Sequence, residues 1–400
     1  MKKLIFGASL LALGLAGNAQ AAGYQLNEYS ITGLGRAFAG AGIMGDDYSA
    51  LANNPAGMTL VKRSGLSLGL VEVEEYSQIK GEGPAPQAVG KKTKMHYGVP
   101  LPSAFGQWNV NDKLFLGAGY YVPFGLSANH KKGSFLGPVV RKSELEVMDT
   151  ALAAAYKVTD KLSLGATLIY RYIHGNMTMG QGNDGYDLDG WTWTGNFGVM
   201  YEFSPDTRVG LSYRMKSKQT VKGDYINPAV LGGGVYDDGR ASPDLPSSII
   251  LSGYHKLNDK LGLSASARWT HWGVFKHFVM TSPSAGAMST VDHPYQYRDS
   301  WTISAGADVY LNDKWTWRFG TAYDQSPVKS AAHRSSRIPD VNRIWLTTGL
   351  SYETGNWQID AGYAHLFMSK GHTNPNMAYG FGAEYSSHSN MYGLNVQYKF

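Results

Sequence analysis

The chain has no cysteine at any of its 400 positions. That excludes disulfides, thiolate nucleophiles, iron–sulfur clusters and cysteine-ligated zinc. Charge is scarce: only 17% of the residues are charged, they are scattered rather than blocked, and 36 Lys+Arg against 31 Asp+Glu leave a formal +5. So thin a surplus gives no nucleic-acid footprint. Beyond the N-terminal stretch no run of 18 apolar residues occurs, so no transmembrane helix is expected. A collagen-like glycine repeat and the high net charge of a disordered chain are also missing.

Glycine and aromatics stand where charge is missing, with 49 Gly, 26 Tyr and 10 Trp. The chain opens Met1-Lys2-Lys3, runs apolar from residue 4 to 17 and reaches Ala19-Gln20-Ala21. Charged start, short apolar core and small-residue end are the pattern of a secretory signal peptide. Residues 1–21 are expected to be removed after Ala21, which lowers the net charge to about +3. An exported, cysteine-free, glycine- and aromatic-rich chain is either a soluble β-protein or an outer-membrane barrel, and periodicity separates the two.

From 162 to 172, Leu162, Leu164, Ala166, Leu168, Tyr170 and Tyr172 alternate with small or polar partners. The same period of two recurs in Trp191, Trp193, Phe197, Val199, Tyr201 and Phe203, with aromatics at both ends of the apolar face. Apolar residues spanning hydrocarbon, with Trp and Tyr at the two interfaces, mark a lipid-facing strand. Tight polar turns recur at Asn111-Asp112-Lys113, Thr159-Asp160-Lys161, Ser204-Pro205-Asp206, Asn258-Asp259-Lys260, Asn312-Asp313-Lys314 and Glu353 to Asn356. Opposite them lie longer connections at 81–91, 129–142, 223–244 and 371–388. Short turns on one side and long loops on the other predict an all-β, antiparallel transmembrane β-barrel of about 14 strands over residues 63–400. The final strand alternates through Tyr392, Leu394, Val396 and Tyr398 to a C-terminal Phe400, which suits recognition by a barrel-insertion machine in a Gram-negative outer membrane.

Residues 22–62 break the rhythm. They are rich in Gly and Ala and carry Leu26, Leu34, Phe38, Met44, Leu51 and Met58 to bury, so they read as an N-terminal hatch plugging the barrel. The third strand, 114–123, contains Gly117, Gly119 and Pro123. Such residues weaken a ladder and make Gly117 and Gly119 kink candidates, with general glycine richness as the other reading. Eleven histidines show no HExxH spacing, no serine sits in a nucleophile elbow and no turn matches an EF-hand loop. Neither an enzyme, a metal site nor a cofactor is expected.

The run Gly23-Tyr24-Gln25-Leu26-Asn27-Glu28, then residues 33–40, Asp46-Asp47 and Asn54-Pro55-Ala56, resembles the hatch of the long-chain fatty-acid outer-membrane transporter family (FadL type), which includes aromatic-hydrocarbon transporters of the same fold. The resemblance continues through Leu245-Pro246, Trp272, residues 318–327, Ile338-Pro339-Asp340, Arg343 and Trp345-Leu346 to Phe400. It implies a monomeric barrel in contact with outer-membrane lipid that passes a hydrophobic small molecule without energy input. The cargo is caught outside, moves to a pocket near the mature N-terminus and leaves sideways at a third-strand kink.

Carried over by position, Asn54, Pro55 and Ala56 are either the hatch gate or plain turn chemistry. Tyr24 either touches ligand or packs the plug. The phase opposite the apolar face points Arg171, Arg214, Arg268, Arg318 and Arg343 inward with Glu202, Asp308 and Asp324. A fatty carboxylate needs one cation left over from internal ion pairs, and Arg171, Arg318 and Arg343 are the candidates. Residues 129–142 and 174–190 are short beside the family's extracellular loops, which opens the way to a smaller cargo. Long-chain fatty acids lead, followed by aromatic hydrocarbons, a general porin and an outer-membrane lipid hydrolase.

Overall fold

The computed structural model describes residues 23–82, 90–130, 134–136, 140–179, 184–227, 234–373 and 382–400; the expected leader lies outside them. Fourteen long antiparallel strands close into one barrel. In chain order they are β1 (Gly65–Glu82), β2 (Lys92–Asn109), β3 (Leu114–Asn129), β4 (Lys142–Lys157), β5 (Leu162–Met179), β6 (Asp184–Ser204) and β7 (Thr207–Arg214). They continue as β8 (Ser248–Asn258), β9 (Leu261–Thr270), β10 (Ser300–Tyr310), β11 (Trp315–Asp324), β12 (Arg343–Thr354), β13 (Trp357–Met368) and β14 (Gly382–Lys399). Each pairs with its neighbour in sequence, and β1 pairs with β14 from Gly65↔Lys399 to Glu82↔Gly382 to close the wall. No helix among the described residues is long and apolar enough to cross a membrane.

The alternation is that of a barrel turned inside out. Leu66, Leu68, Leu164, Leu168, Leu251 and Leu394 stand exposed on the outer face, while Ser67, Ser163, Thr167, Ser252, Ser304 and Asn395 are buried on the inner one. Lipid takes the apolar band, and aromatic pairs such as Trp315–Tyr352 (4.5 Å between centroids) and Trp357–Tyr398 (4.7 Å) mark its rim. The turns form for the expected reason. Asn111 Oδ1 accepts from the Lys113 and Leu114 amides at 2.9 Å each, and Asn312 repeats this with Lys314 and Trp315; a short polar side chain replaces a missing backbone acceptor.

On the opposite side the strands run further than the sequence pattern implies. Residues 174–179 and 184–190 are the continuation of β5 and β6, not a loop, and within 223–244 the strands Val221–Asn227 and Gly234–Ala241 pair as a hairpin. The lipid-facing alternation ends where the membrane ends, but backbone pairing continues into water, so periodicity understates these strands.

Residues 23–62 fold inside the barrel as helix α1 (Ile31–Gly35), helix α2 (Ala50–Asn53) and a 3₁₀ segment (Pro55–Leu60), nearly all buried. A belt of inward-facing glycines makes room for them. Gly165 lies opposite Gly198, Gly306 opposite Gly320, and Gly349, Gly362 and Gly393 follow across three strands. A Cβ on Gly306 would come within 2.9 Å of Arg36, one on Gly349 within 2.9 Å of Gly35, and one on Gly165 or Gly198 would collide with Pro55 and Asn54. Hatch backbone rests on wall backbone, and this explains much of the glycine content.

Adding side chains to a close-packed contact costs on the order of 1–3 kcal/mol. Gly165→Val is therefore expected to loosen the hatch, seen as faster proteolysis within residues 23–62 of the folded barrel. Gly253→Ala, where a Cβ meets nothing within 4 Å, is expected to leave the cleavage rate unchanged.

Candidate functional site

Above the hatch a cavity with about 720 Å³ of empty space, mouth included, opens between the N-terminal segment and the upper parts of β3 to β6. Its walls are mainly apolar, from Tyr24, Leu126, Ile173, Met177, Leu188, Leu245, Phe275, Phe278, Met280 and Tyr295. A recess lined by apolar and aromatic groups suits a hydrophobic ligand. Tyr24 packs edge-on against Trp272 (4.6 Å between centroids) and Phe275 (5.7 Å), with Phe124 at 6.0 Å. Trp272 is fully buried on a one-turn 3₁₀ segment after β9, secured where the Gly273 amide donates to Asp299 Oδ1 at 2.8 Å. The Trp272 ring presses against Gly23, whose φ of +71° and lack of a side chain allow the approach.

The wall of this cavity is interrupted. β2 and β3 pair only from Ala104↔Tyr120 to Asn109↔Phe115, whereas β3 and β4 pair on up to Asn129↔Lys142. At Val122 and Pro123 two residues of β3 stand opposite Met148 alone, a bulge between Tyr121 and Phe124. Proline has no N–H to give a ladder, and the extra residue bends the strand away from β2. The N-terminus occupies the freed edge: Leu26 N donates to Pro123 O at 2.8 Å, Gly125 N donates to Tyr24 O at 2.9 Å, and Gln25 bridges to Phe124. Gly117 and Gly119 are not the kink. Both sit in unbroken pairing on either side, and a Cβ there would meet Met58 (2.7 Å) and Phe105 (2.6 Å); their lack of a side chain serves close packing instead.

Asn54 works with both ends of its amide. Its Oδ1 accepts from Ala56 N at 3.1 Å and caps the 3₁₀ segment opened by Pro55, while its Nδ2 donates to Val199 O of β6 at 3.1 Å. The Asn54-Pro55-Ala56 turn is thus one of the hatch's anchors on the wall, seated over Gly165, Gly198 and Gly210.

The three arginines expected to meet a carboxylate are all engaged by the protein's own. Arg171 holds Asp149 through Nε (2.7 Å) and Nη2 (2.8 Å) and donates to Ser217 Oγ at 2.7 Å. Arg318 bridges Asp308 (3.0 Å) and Asp46 (3.1 Å), which also hold Arg36, so that wall and hatch share one ion-pair network. Arg343 bonds Asp340 and lies 3.7 Å from Asp324. Inward phase was legible in the sequence; the pairing was not, because Asp46 comes from the distant hatch, Asp149 meets Arg171 through the β4–β5 register, and Asp340 precedes Arg343 by three residues in irregular chain where strand phase assigns no face. The arginine that does line the cavity is Arg337. It stands in an irregular stretch between β11 and β12, where strand phase says nothing. Outside the cavity, Glu82, His372 and Glu384 bring ligand atoms within 4.8 Å at the rim, with Lys370 Nζ 3.6 Å from Glu384; no sequence spacing reveals such a group.

The comparisons with known proteins agree with this geometry. A family model described as "Outer membrane protein transport protein (OMPP1/FadL/TodX)" matches residues 12–400. The chain is 32% identical to "Outer membrane protein P1" of Haemophilus influenzae over the full length of both. It is 28% identical to the "Long-chain fatty acid transport protein" of Escherichia coli (strain K12), again over all of both chains. Among solved structures, a Pseudomonas aeruginosa FadL homologue superposes with a TM-score of 0.84 at 24% identity, covering 96% of this chain and 100% of that one. The Ralstonia pickettii toluene transporter TbuX gives 0.66 at 22%, covering 94% and 99%. The chain belongs to the OMPP1/FadL/TodX family and is an outer-membrane transporter of hydrophobic compounds.

One titration bears on the hatch. Burial first, and Asp324 in addition, push the Glu28 carboxyl up to about 7 against the pull of its backbone hydrogen bonds and Arg343. A carboxyl raised above its ordinary value of 4.5 binds a proton more tightly in the docked hatch. Its contribution is complete below that ordinary value and is lost as pH rises through about 7. Protection of the amides of residues 23–35, taken relative to the intrinsic exchange rate at each pH, is expected to be greater at pH 5.5 than at pH 8, and Glu28→Gln to erase the difference.

Proposed function

We propose that this transporter takes up long-chain fatty acids by passive diffusion through the cavity beside Tyr24 and releases them sideways between β2 and β3. The observation that carries the reading is the double use of residues 24–26. Tyr24 lines the apolar cavity, and the same short segment covers the edge that β3 exposes where it leaves β2. Cargo that displaces Tyr24 from the aromatic cluster also pulls on the strand that seals the wall. Burial of an acyl chain supplies affinity at roughly 25 cal/mol per Å² removed from water, with no energy input.

The Asn54-Pro55-Ala56 turn is the hatch's gate in this reading, since freeing it from β6 lets residues 23–62 move over the glycine belt. A filled lumen argues against a general porin. Assembly as a monomer, with insertion directed by the strand ending at Phe400, completes the account. The aromatic lining around Phe275 and Tyr295 favours a second reading, in which the cargo is an aromatic hydrocarbon.

Uptake of labelled oleate by Gram-negative cells lacking their own transporter tests both cargo and exit. This protein is expected to restore uptake. Deleting Val122, which removes the extra residue of β3 and lets its pairing with β2 run on, is expected to cut uptake at least tenfold while the barrel still folds. Unchanged uptake in that variant would rule out the lateral route, and toluene uptake without oleate uptake would favour the hydrocarbon.

A further inference from the structure

The outer face of the wall changes character where the barrel closes. Along β1 the outward phase runs from Leu66, Leu68 and Leu70 to Lys80 and Glu82, and along β14 from Leu394 and Tyr392 to Glu384. The two strands stay paired up to Glu82↔Gly382, with Lys80 opposite Glu384. On the other edge of β14 the two-residue strand Gly371–His372 adds itself to the sheet and sets His372 directly opposite Glu384. Three strands therefore bring an imidazole and two carboxylates to one spot at the end of the closing seam.

His372 Nδ1 lies 3.0 Å from Glu82 Oε2, and donor atoms of Glu82, His372 and Glu384 all fall within 4.8 Å of one another. No other group of three imidazole or carboxylate donors among the described residues is placed to hold an ion. The backbone under the imidazole is fixed from two sides. Arg334 Nη1 donates to His372 O at 2.8 Å, while Thr373 N donates to Ala383 O and Ala383 N to Thr373 Oγ1, each at 2.9 Å. Only side-chain rotation is left to bring the donors together.

The donor types select a class of ion. Zn²⁺ bonds to imidazole nitrogen and carboxylate oxygen at about 2.0–2.2 Å, so tetrahedral ligand atoms stand roughly 3.3 Å apart; the contact between His372 and Glu82 is already close to that spacing. Two carboxylates balance a divalent charge, and the imidazole supplies a nitrogen that Ca²⁺ and Mg²⁺, which take oxygen, do not favour. Three protein donors leave a fourth position for water. Lys370 Nζ, 3.6 Å from Glu384, supplies the positive charge that an ion would take over.

We propose that Glu82, His372 and Glu384 form a site for a divalent cation of the Zn²⁺ class, which clasps the connection after β13 to the seam between the first and last strands. The ends of paired strands open most readily, and an ion bonded to all three opposes that opening. Donors at 82, 372 and 384 make no motif, so the sequence alone predicts no metal here.

The test is calorimetric titration of Zn²⁺, with Ca²⁺ and Mg²⁺ in parallel, into the untagged, folded full chain in detergent. Wild type is expected to take up one Zn²⁺ at least about tenfold more tightly than either oxygen-seeking cation, and its thermal midpoint to rise as Zn²⁺ is added. H372A and E384Q are each expected to weaken Zn²⁺ binding by at least about tenfold and to abolish the rise in midpoint. H277A, which removes an imidazole paired with the single carboxylate of Asp292 at 3.0 Å, is expected to behave as wild type. Absence of Zn²⁺ uptake by wild type would overturn the site with no variant needing to fold. Uptake that survives unchanged in H372A, or Ca²⁺ bound as tightly as Zn²⁺, would overturn the donor set.

Discussion

A strand edge facing the interior of a membrane leaves its N–H and C=O groups with no water to turn to, and each unpaired group costs several kcal/mol. β3 has such an edge. Its bulge at Val122-Pro123 turns it from β2, and above Tyr121 its β2-facing side has no wall partner. The fold answers with its own N-terminus, which bonds to Pro123 and Gly125 and lays Tyr24 against Trp272 and Phe275 in the same stroke. Cavity and seal meet at one extra residue in one strand, the place where we propose that cargo leaves sideways.

The hatch stays close to that seal because the rest of the lumen holds it in two ways. Over the glycine belt, backbone approaches backbone with no side chains to interlock, which fixes position by shape and leaves a smooth surface to move on. The Arg36–Asp46–Arg318–Asp308 network ties the same segment to β10 and β11. Removing one member of a buried pair costs on the order of 3–5 kcal/mol, because its partner is left charged in a dry site. The ion pairs therefore lock one side of the hatch, and on the other Asn54 Nδ2 donates to Val199 O (3.1 Å) and Leu211 O (3.5 Å) while Arg214, Asn196 and Thr167 donate to the carbonyls of Ala52, Asn53 and Leu51.

Much of the architecture was legible in the residues. Period-two alternation in lipid-facing strands follows from geometry, and Asn and Asp turns follow from side-chain bonding, so the barrel and its short turns could be read directly. The hatch was legible as a break in that rhythm. The kink was misplaced by a few residues because glycine has two uses in a strand. Gly117 and Gly119 admit Met58 and Phe105, while the bend is made by Pro123 and one uncompensated residue. The arginines were given their direction but not their partners, since alternation fixes which face a side chain takes and says nothing of what waits there. Arg337 was invisible for the opposite reason: it lies in irregular chain, where no period assigns a face. Of the proposed site residues, Tyr24 lies at the cavity, and it was reached by family resemblance rather than by pattern.

The central claim is that residues 24–26 must leave the β3 edge for cargo to pass. Cysteine is absent from the chain, so a single disulfide can be introduced cleanly at Gln25 and Phe124, which are paired across the antiparallel bridge. Such pairs stand about 4.5–5.5 Å apart at Cα, within disulfide reach. Oleate uptake by the Gln25→Cys, Phe124→Cys protein, compared before and after reduction, measures the claim directly. The account predicts no uptake while the bridge is oxidised and recovery on adding reductant; equal uptake in both states would contradict it.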